Sequence, residues 1–392
     1  MTKFDFEAIH NRSTYYYESY VSNILMPAVY FREAGEYTEA LLWLEEWLCS
    51  DQAQRSGVAA QADAWALCSH IKLLQGRIYE SIKYLEKAES LSPNNVSVII
   101  NRARLYLKKQ DNTAALRLAQ SILRRFPSDP SVSVIMASAL GAMGCYSEAL
   151  LKVNNTIQYF PDHSESLATR SLIQARTKEF DKAKLDALRA LLIKPYAHQL
   201  WSLLSRLFLQ SGVLSTAITM QKRAVIGAPK QLDYLITLSD FLSSANKIDD
   251  SYKMMKHTIR LFPFSDIAWI NLSKVQCKKM VLDNAVKSSR RAIMLRPDMA
   301  SHYVFYANIL KMIKEWCKSL DAINRAYNIE ANNISILLNK ANILLRVRCI
   351  YEALQTYEQV LRLSPIQVDA LLGAGNALSE LGRLEEALQA YD

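Results

Sequence analysis

From Asp266 to Pro297 apolar and small residues recur at fixed places: Trp269, Leu272 and Ser273 in the first half, Ala285 and Ala292 in the second, with Pro297 closing the stretch. The spacing predicts two antiparallel helices joined by a turn. Counting from Pro297 in steps of thirty-four lands on Pro93, Pro127, Pro161, Pro195, Pro229, Pro263 and Pro365, so eight of the ten prolines stand on one comb and Ala331 fills the missing place.

The same ruler locates two positions that hold only Ser, Ala or Gly. The eighth runs from Ser69 and Ala103 through Ser273 to Gly375, and the twentieth from Ser81 and Ala115 through Ala285 to Ala387. Where two helices pack closely a larger side chain would force them apart, so both positions predict contact between the paired helices. Position fifteen carries the turn, as in Gly76, Gly144, Gly212 and Gly382 or the polar Gln110, Lys178 and Asn246. Asp129, Ser265, Asp266 and Asp298 stand where the next helix needs a cap.

Repeats begin at Ala62, Val96, Pro130, Ser164, His198, Leu232, Asp266, Ala300, Ile334 and Val368, preceded by one atypical copy in which Pro27 kinks or delays the first helix. Between Ala40 and Ser81 the step is forty-one, so seven residues are inserted near 50–61, as a loop or a helix extension. Residues 1–20, with Tyr15, Tyr16, Tyr17 and Tyr20, read as an N-terminal capping segment, and 21–392 as an array of about eleven repeats. The last copy stops at Tyr391 and Asp392, which reads as the N-terminal part of a longer protein or a truncated product, with a C-terminal end open to self-association.

This pattern resembles the tetratricopeptide (TPR) repeat, whose period is thirty-four. The resemblance implies an all-α, right-handed α-solenoid of antiparallel helix pairs. The pentatricopeptide repeat, an RNA reader, has a period one residue longer, and the comb argues against it.

TPR arrays face their ligand with positions two, five, six, nine, twelve and thirteen of each first helix. Three repeats place an asparagine, a polar residue three later and a base seven later on that face: Asn101, Arg104, Lys108; Asn271, Lys274, Lys278; and Asn339, Asn342, Arg346. Arg176, Arg206, Asn308 and Asn376 extend it. Asparagine can donate to and accept from a peptide backbone, and the bases can take a carboxylate. The set resembles the asparagine-lined groove of the protein O-linked N-acetylglucosamine transferases, and implies binding of extended peptide segments, acidic or C-terminal ones favoured. Asn308 and Asn339 also fit the asparagine pair of the chaperone-tail clamp, but Val304, Asp369 and Gly373 stand where its bases should be.

Composition narrows this further. The net charge of +9 favours acidic partners, yet the bases never form a block of five or six, so nucleic acid is not the expected ligand. Six scattered cysteines without a CxxC pair suit neither a disulfide framework nor a metal site. No signal peptide or long apolar run is present, so a cytoplasmic protein is expected. No catalytic motif accompanies the six isolated histidines, and Gly373 and Gly375 belong to the packing pattern. The expectation is a non-catalytic scaffold needing no cofactor; the alternative is the substrate-recruiting arm of a larger enzyme, such as a glycosyltransferase, with its catalytic domain beyond 392.

Overall fold

A computed structural model describes residues 23–33, 35–124 and 129–391; the capping segment expected over 1–20, Pro127 and Asp392 lie outside them. The described chain is all-α. In order the helices are α1 (Met26–Glu33), α2 (Tyr37–Leu48), α3 (Asp51–Arg55), α4 (Gly57–Leu74), α5 (Ile78–Leu91), α6 (Val96–Lys108), α7 (Asn112–Leu123) and α8 (Pro130–Ala142). Then come α9 (Tyr146–Tyr159), α10 (Ser164–Arg176), α11 (Phe180–Ile193), α12 (His198–Gln210), α13 (Leu214–Gly227), α14 (Leu232–Ser244), α15 (Ile248–Leu261) and α16 (Asp266–Lys278). The last are α17 (Leu282–Leu295), α18 (Ala300–Met312), α19 (Trp316–Ile329), α20 (Ile334–Arg346), α21 (Ile350–Leu363), α22 (Val368–Glu380) and α23 (Leu384–Tyr391). They pair antiparallel within each repeat as an α-solenoid and divide into two compact units, residues 1–234 and 235–392.

The small positions do more than avoid a clash. Where serine stands there, its hydroxyl crosses to the facing helix: Ser171 Oγ donates to Ala183 O at 2.7 Å, Ser273 Oγ to Ala285 O at 2.7 Å and Ser319 Oγ to Ala307 O at 2.9 Å. A buried hydroxyl this close to a neighbouring backbone is satisfied rather than costly. Trp201 and Trp269, at position four, donate from Nε1 to the carbonyls of Pro195 and Pro263, tying each repeat to the proline that ends the one before.

Asp129 and Ser265 cap α8 and α16 as expected. Asp298 instead pairs with Arg296 at 3.1 Å, and Asp266 Oδ2 lies 3.4 Å from His302 Nε2. Pro27 sits in the first turn of α1, where its missing N–H costs nothing, so the helix starts late rather than kinking. The inserted residues near 50–61 form the short helix α3, capped by Ser50, and an N-terminal extension of α4.

The turn at position fifteen is left-handed even where glycine is absent: Gln110, Lys178, Asn246, Met280, Lys314 and Arg348 all have φ between 58° and 66°. Around Met280 the turn closes when Val281 N–H bonds Gln276 O across the helix end. An L-residue there is strained by about 1 kcal/mol. Met280→Gly is therefore expected to raise the unfolding free energy in urea by up to about 0.5 kcal/mol after the entropic cost of glycine, and Gly212→Ala to lower it comparably.

Candidate functional site

In unit 2 the face predicted from sequence is built from α16, α18, α20 and α22. Asn271 and Asn339, at position six, spend their amide on their own helix, Nδ2 donating to Ile267 O and Ser335 O, each at 2.9 Å. Their oxygens accept from lysines: Lys274 Nζ to Asn271 Oδ1 at 3.3 Å, and Lys311 Nζ to Asn339 Oδ1 at 3.3 Å. Lys311 also donates to Asn308 Oδ1 at 3.1 Å. These asparagines therefore position cations instead of holding a ligand backbone unaided.

Asn342 and Asn376, at position nine, work the other way round. Tyr357 OH donates to Asn342 Oδ1 at 2.6 Å and Tyr391 OH to Asn376 Oδ1 at 2.8 Å, which turns both amide nitrogens outward as donors. An open cleft of about 480 Å³ lies beside Asn342, lined by Ile334, Ser335, Leu338, Asn339, Asn342, Gln367 and Asp369. Burial lowers the ammonium pKa of Lys311. Across from Lys274 and Lys278, burial raises the carboxyl pKa of Asp240, and the two lysine charges only partly offset it.

In unit 1 Asn101 is bonded as Asn271 is, Nδ2 donating to Ser97 O at 2.9 Å, but the base beside it is drawn into the interior. Asn101 is buried, and Arg104 donates to Asn101 Oδ1 at 3.4 Å and His70 Nδ1 at 3.3 Å while pairing with Glu165 at 3.6 Å. Arg32 reaches the same His70 nitrogen at 3.2 Å. The repeats curl tightly enough that the turn at Gly35 meets Tyr196 and the turn at Gly76 meets Gln231, while the Tyr37 ring lies edge-on to His198. Arg104 thus ties α6 to α4 and α10, whereas Lys108, Arg176 and Arg206 remain exposed.

His70 accepts from two guanidiniums and stays neutral: burial, then Arg104 and Arg32, push its pKa well below 6.5. Burial pushes the Glu165 carboxyl up, but Arg104, Lys194 and His163 outweigh it and hold the carboxyl far below its usual range. For both groups the folded pKa is depressed, so the unfolded chain takes up the proton first. The His70 contribution is complete above pH 6.5 and is lost as pH falls below that; the Glu165 contribution is complete above 4.5 and is lost further down. Hydrogen exchange in α4, α6 and α10 should accelerate, relative to its intrinsic rate, between pH 7 and 5. His70→Asn, which keeps an acceptor but cannot titrate, should flatten that change, leaving the smaller slope of His198, itself lowered by burial.

Two features of the unit 2 face escape the sequence pattern. Lys311 stands at position twelve of a repeat whose position six is Phe305, so the asparagine run does not point to it. The tyrosines come from the second helices; their signal is the fifteen-residue step from Asn342 to Tyr357, repeated from Asn376 to Tyr391.

Residues 72–139 and 338–392 each match a family model described as tetratricopeptide repeat. The chain carries tetratricopeptide repeats. Its TPR fold is similar to a chain in the crystal structure of the APC/C hetero-tetramer Cut9-Hcn1, at 15% identity and TM-score 0.54 over 88% of this chain and 67% of that one. A chain of the human IFIT1 dimer with m7Gppp-AAAA aligns at 16% identity and TM-score 0.45, over 92% and 93% of the two chains. YrrB, described as a TPR protein with an unusual peptide-binding site, aligns at 18% identity and TM-score 0.38, over 43% of this chain and 88% of its own. At these identities the likeness concerns the fold. No curated protein matches in sequence. Among the described residues, no helix of this TPR chain is long and apolar enough to cross a membrane.

Proposed function

We propose that the protein is a non-catalytic scaffold whose unit 2 groove binds an extended peptide carrying a carboxylate, either an acidic side chain or a C-terminus. TPR repeats typically mediate protein–protein interactions, which supports the broad class. The observation that carries the finer reading is Lys311, whose ammonium meets only the amide oxygens of Asn308 and Asn339. Among the described residues no carboxylate lies within 4 Å of it, nor of Lys274, Lys278 or Arg346. A half-buried cation held by neutral oxygens gains most from an incoming anion. Lys311 also joins the two asparagines that fit the clamp pattern, supplying a base from position twelve.

The ligand would lie across α16, α18, α20 and α22, its carbonyls meeting the outward amides of Asn342 and Asn376. Reversing Lys274, Lys278 and Arg346 together to Glu should weaken an acidic ten-residue peptide more than tenfold by calorimetry, with helicity and Tm nearly unchanged. Because the Lys311 pKa is lowered, affinity should fall as pH rises at a lower pH than an ordinary lysine would give. Unchanged binding in the triple variant would sink this reading and place the site elsewhere.

A further inference from the structure

On the side of unit 2 away from the groove, α15 and α17 carry Lys253, Lys256, Arg260, Lys287, Arg290 and Arg291, all exposed. None of the six has an ion-pair partner among the described residues. Helical spacing puts Lys253, Lys256 and Arg260 on one face of α15, and Lys287, Arg290 and Arg291 on the matching face of α17. In sequence these bases are too scattered to form a block; the fold sets Lys256, Arg260 and Lys287 around one cleft, with Lys253, Arg290 and Arg291 on the same faces of their helices.

Between α15, α16 and α17 lies an open cleft of about 390 Å³ with Tyr252 and Trp269 in its walls and Lys256, Arg260 and Lys287 along it. The ammoniums of Lys256 and Lys279 lie 5.2 and 5.0 Å from the Tyr252 ring centroid, which holds cationic charge at the cleft's edge. Gln276 also lines the cleft, only 4% exposed, and its Oε1 has no hydrogen-bond partner. The same repeat position holds Leu140, Leu242, Leu310, Leu344 and Leu378 in five other copies, so an apolar residue suffices for packing there; Gln174, at this position in unit 1, is a second buried glutamine with an unpartnered Oε1, and what sets Gln276 apart is the aromatic and cationic lining around it. A buried amide left unpaired costs free energy unless something else bonds it. Asn284 adds a second amide at the rim.

We propose that this surface binds single-stranded nucleic acid, with one unstacked base in the cleft and the flanking phosphates on the six cations. An acidic peptide needs the cations alone. Aromatic walls with a buried, unpartnered amide between them suit a flat base with a polar edge, and a strand that follows both helices meets a phosphate site on each. The site shares no residue with the peptide groove and does not rest on it.

Fluorescence anisotropy with labelled ten-nucleotide single-stranded RNAs and a labelled ten-residue polyglutamate, between 50 and 200 mM KCl, tests it. The oligonucleotide should bind saturably and at least tenfold tighter than polyglutamate. Reversing Lys256, Lys287 and Arg290 to Glu should abolish binding, and the wild-type salt slope should correspond to several phosphates at about −0.7 each. Gln276→Leu, which restores the residue usual in this repeat and removes the unpaired amide, should weaken binding about five- to tenfold at unchanged slope while leaving Tm equal or higher. Asn284→Ala, on the surface, should act in the same direction. The groove triple variant should bind RNA as the wild type does. Absence of saturable binding at 50 mM KCl, equal binding of polyglutamate, an unaffected Gln276→Leu, or loss in the groove variant would each overturn the proposal.

Discussion

Gly373→Ala is expected to destabilise unit 2 by about 2–3 kcal/mol, even though alanine is the better helix former by about 1 kcal/mol. A Cβ at Gly373 would run into Cζ and Cε1 of Tyr357. The ring cannot retreat, because it is fully buried in the cluster of Leu337, Ala341, Leu344 and Val360 and its hydroxyl is fixed on Asn342 at 2.6 Å. Burial also pushes the phenol pKa up to about 12, so the hydroxyl stays a donor. Gly375 makes the instructive contrast: its Cβ would meet Tyr391 at 2.5 Å, but that ring is 44% exposed and can swing away, so Gly375→Ala should cost well under half as much. Urea unfolding of the two variants, with Tyr357→Leu to complete a double-mutant cycle for Gly373, separates the cases. A Gly373→Ala protein as stable as the wild type would contradict the packing described.

Asp186→Ala should cost about 3 kcal/mol in unit 1. Asp186 is 3% exposed and takes a two-point grip from Arg170, Nε to Oδ2 at 2.6 Å and Nη2 to Oδ1 at 2.7 Å, while Arg170 Nη1 holds Asn154 at 3.0 Å. Removing the carboxylate leaves a largely buried guanidinium with only an amide partner. Replacing both members by apolar residues of similar size, Arg170→Met with Asp186→Leu, should restore most of the loss, since the pair's own desolvation disappears with it. Thermal unfolding of the single and double variants reads the difference; equal losses in both would show that volume, not unpaired charge, sets the cost.

The helix pairs were legible in the sequence because one residue type in one place does one job in every copy. Proline at position thirty-two ends a helix, and a small residue at eight and twenty lets two helices touch. Met280 shows the limit: the turn demands a left-handed residue at position fifteen, and the hydrogen bonds around it impose that on a methionine whose type gives no hint. The candidate site was legible only as a face. Helical spacing puts Arg104 and Lys274 on equivalent positions beside the equally buried Asn101 and Asn271, but which of the two bases meets solvent depends on how tightly the surrounding repeats curl, a property of many packing contacts with no local motif. The same holds for Lys311, which draws its place from an asparagine twenty-eight residues away. The cations of α15 and α17 around the cleft are a third case, scattered in sequence and set together only by packing.

The central claim is that the carboxylate of a bound peptide lies on the first-helix face of unit 2. Photo-crosslinking tests it directly: a ten-residue acidic peptide with a diazirine beside its carboxylate is irradiated with the full chain, and the sites are read by mass spectrometry. Crosslinks should concentrate at Lys274, Lys311 and Asn342 on α16, α18 and α20, and disappear when Lys274, Lys278 and Arg346 are reversed. Crosslinks confined to the second helices α15, α17 and α19, or to unit 1, would contradict the account.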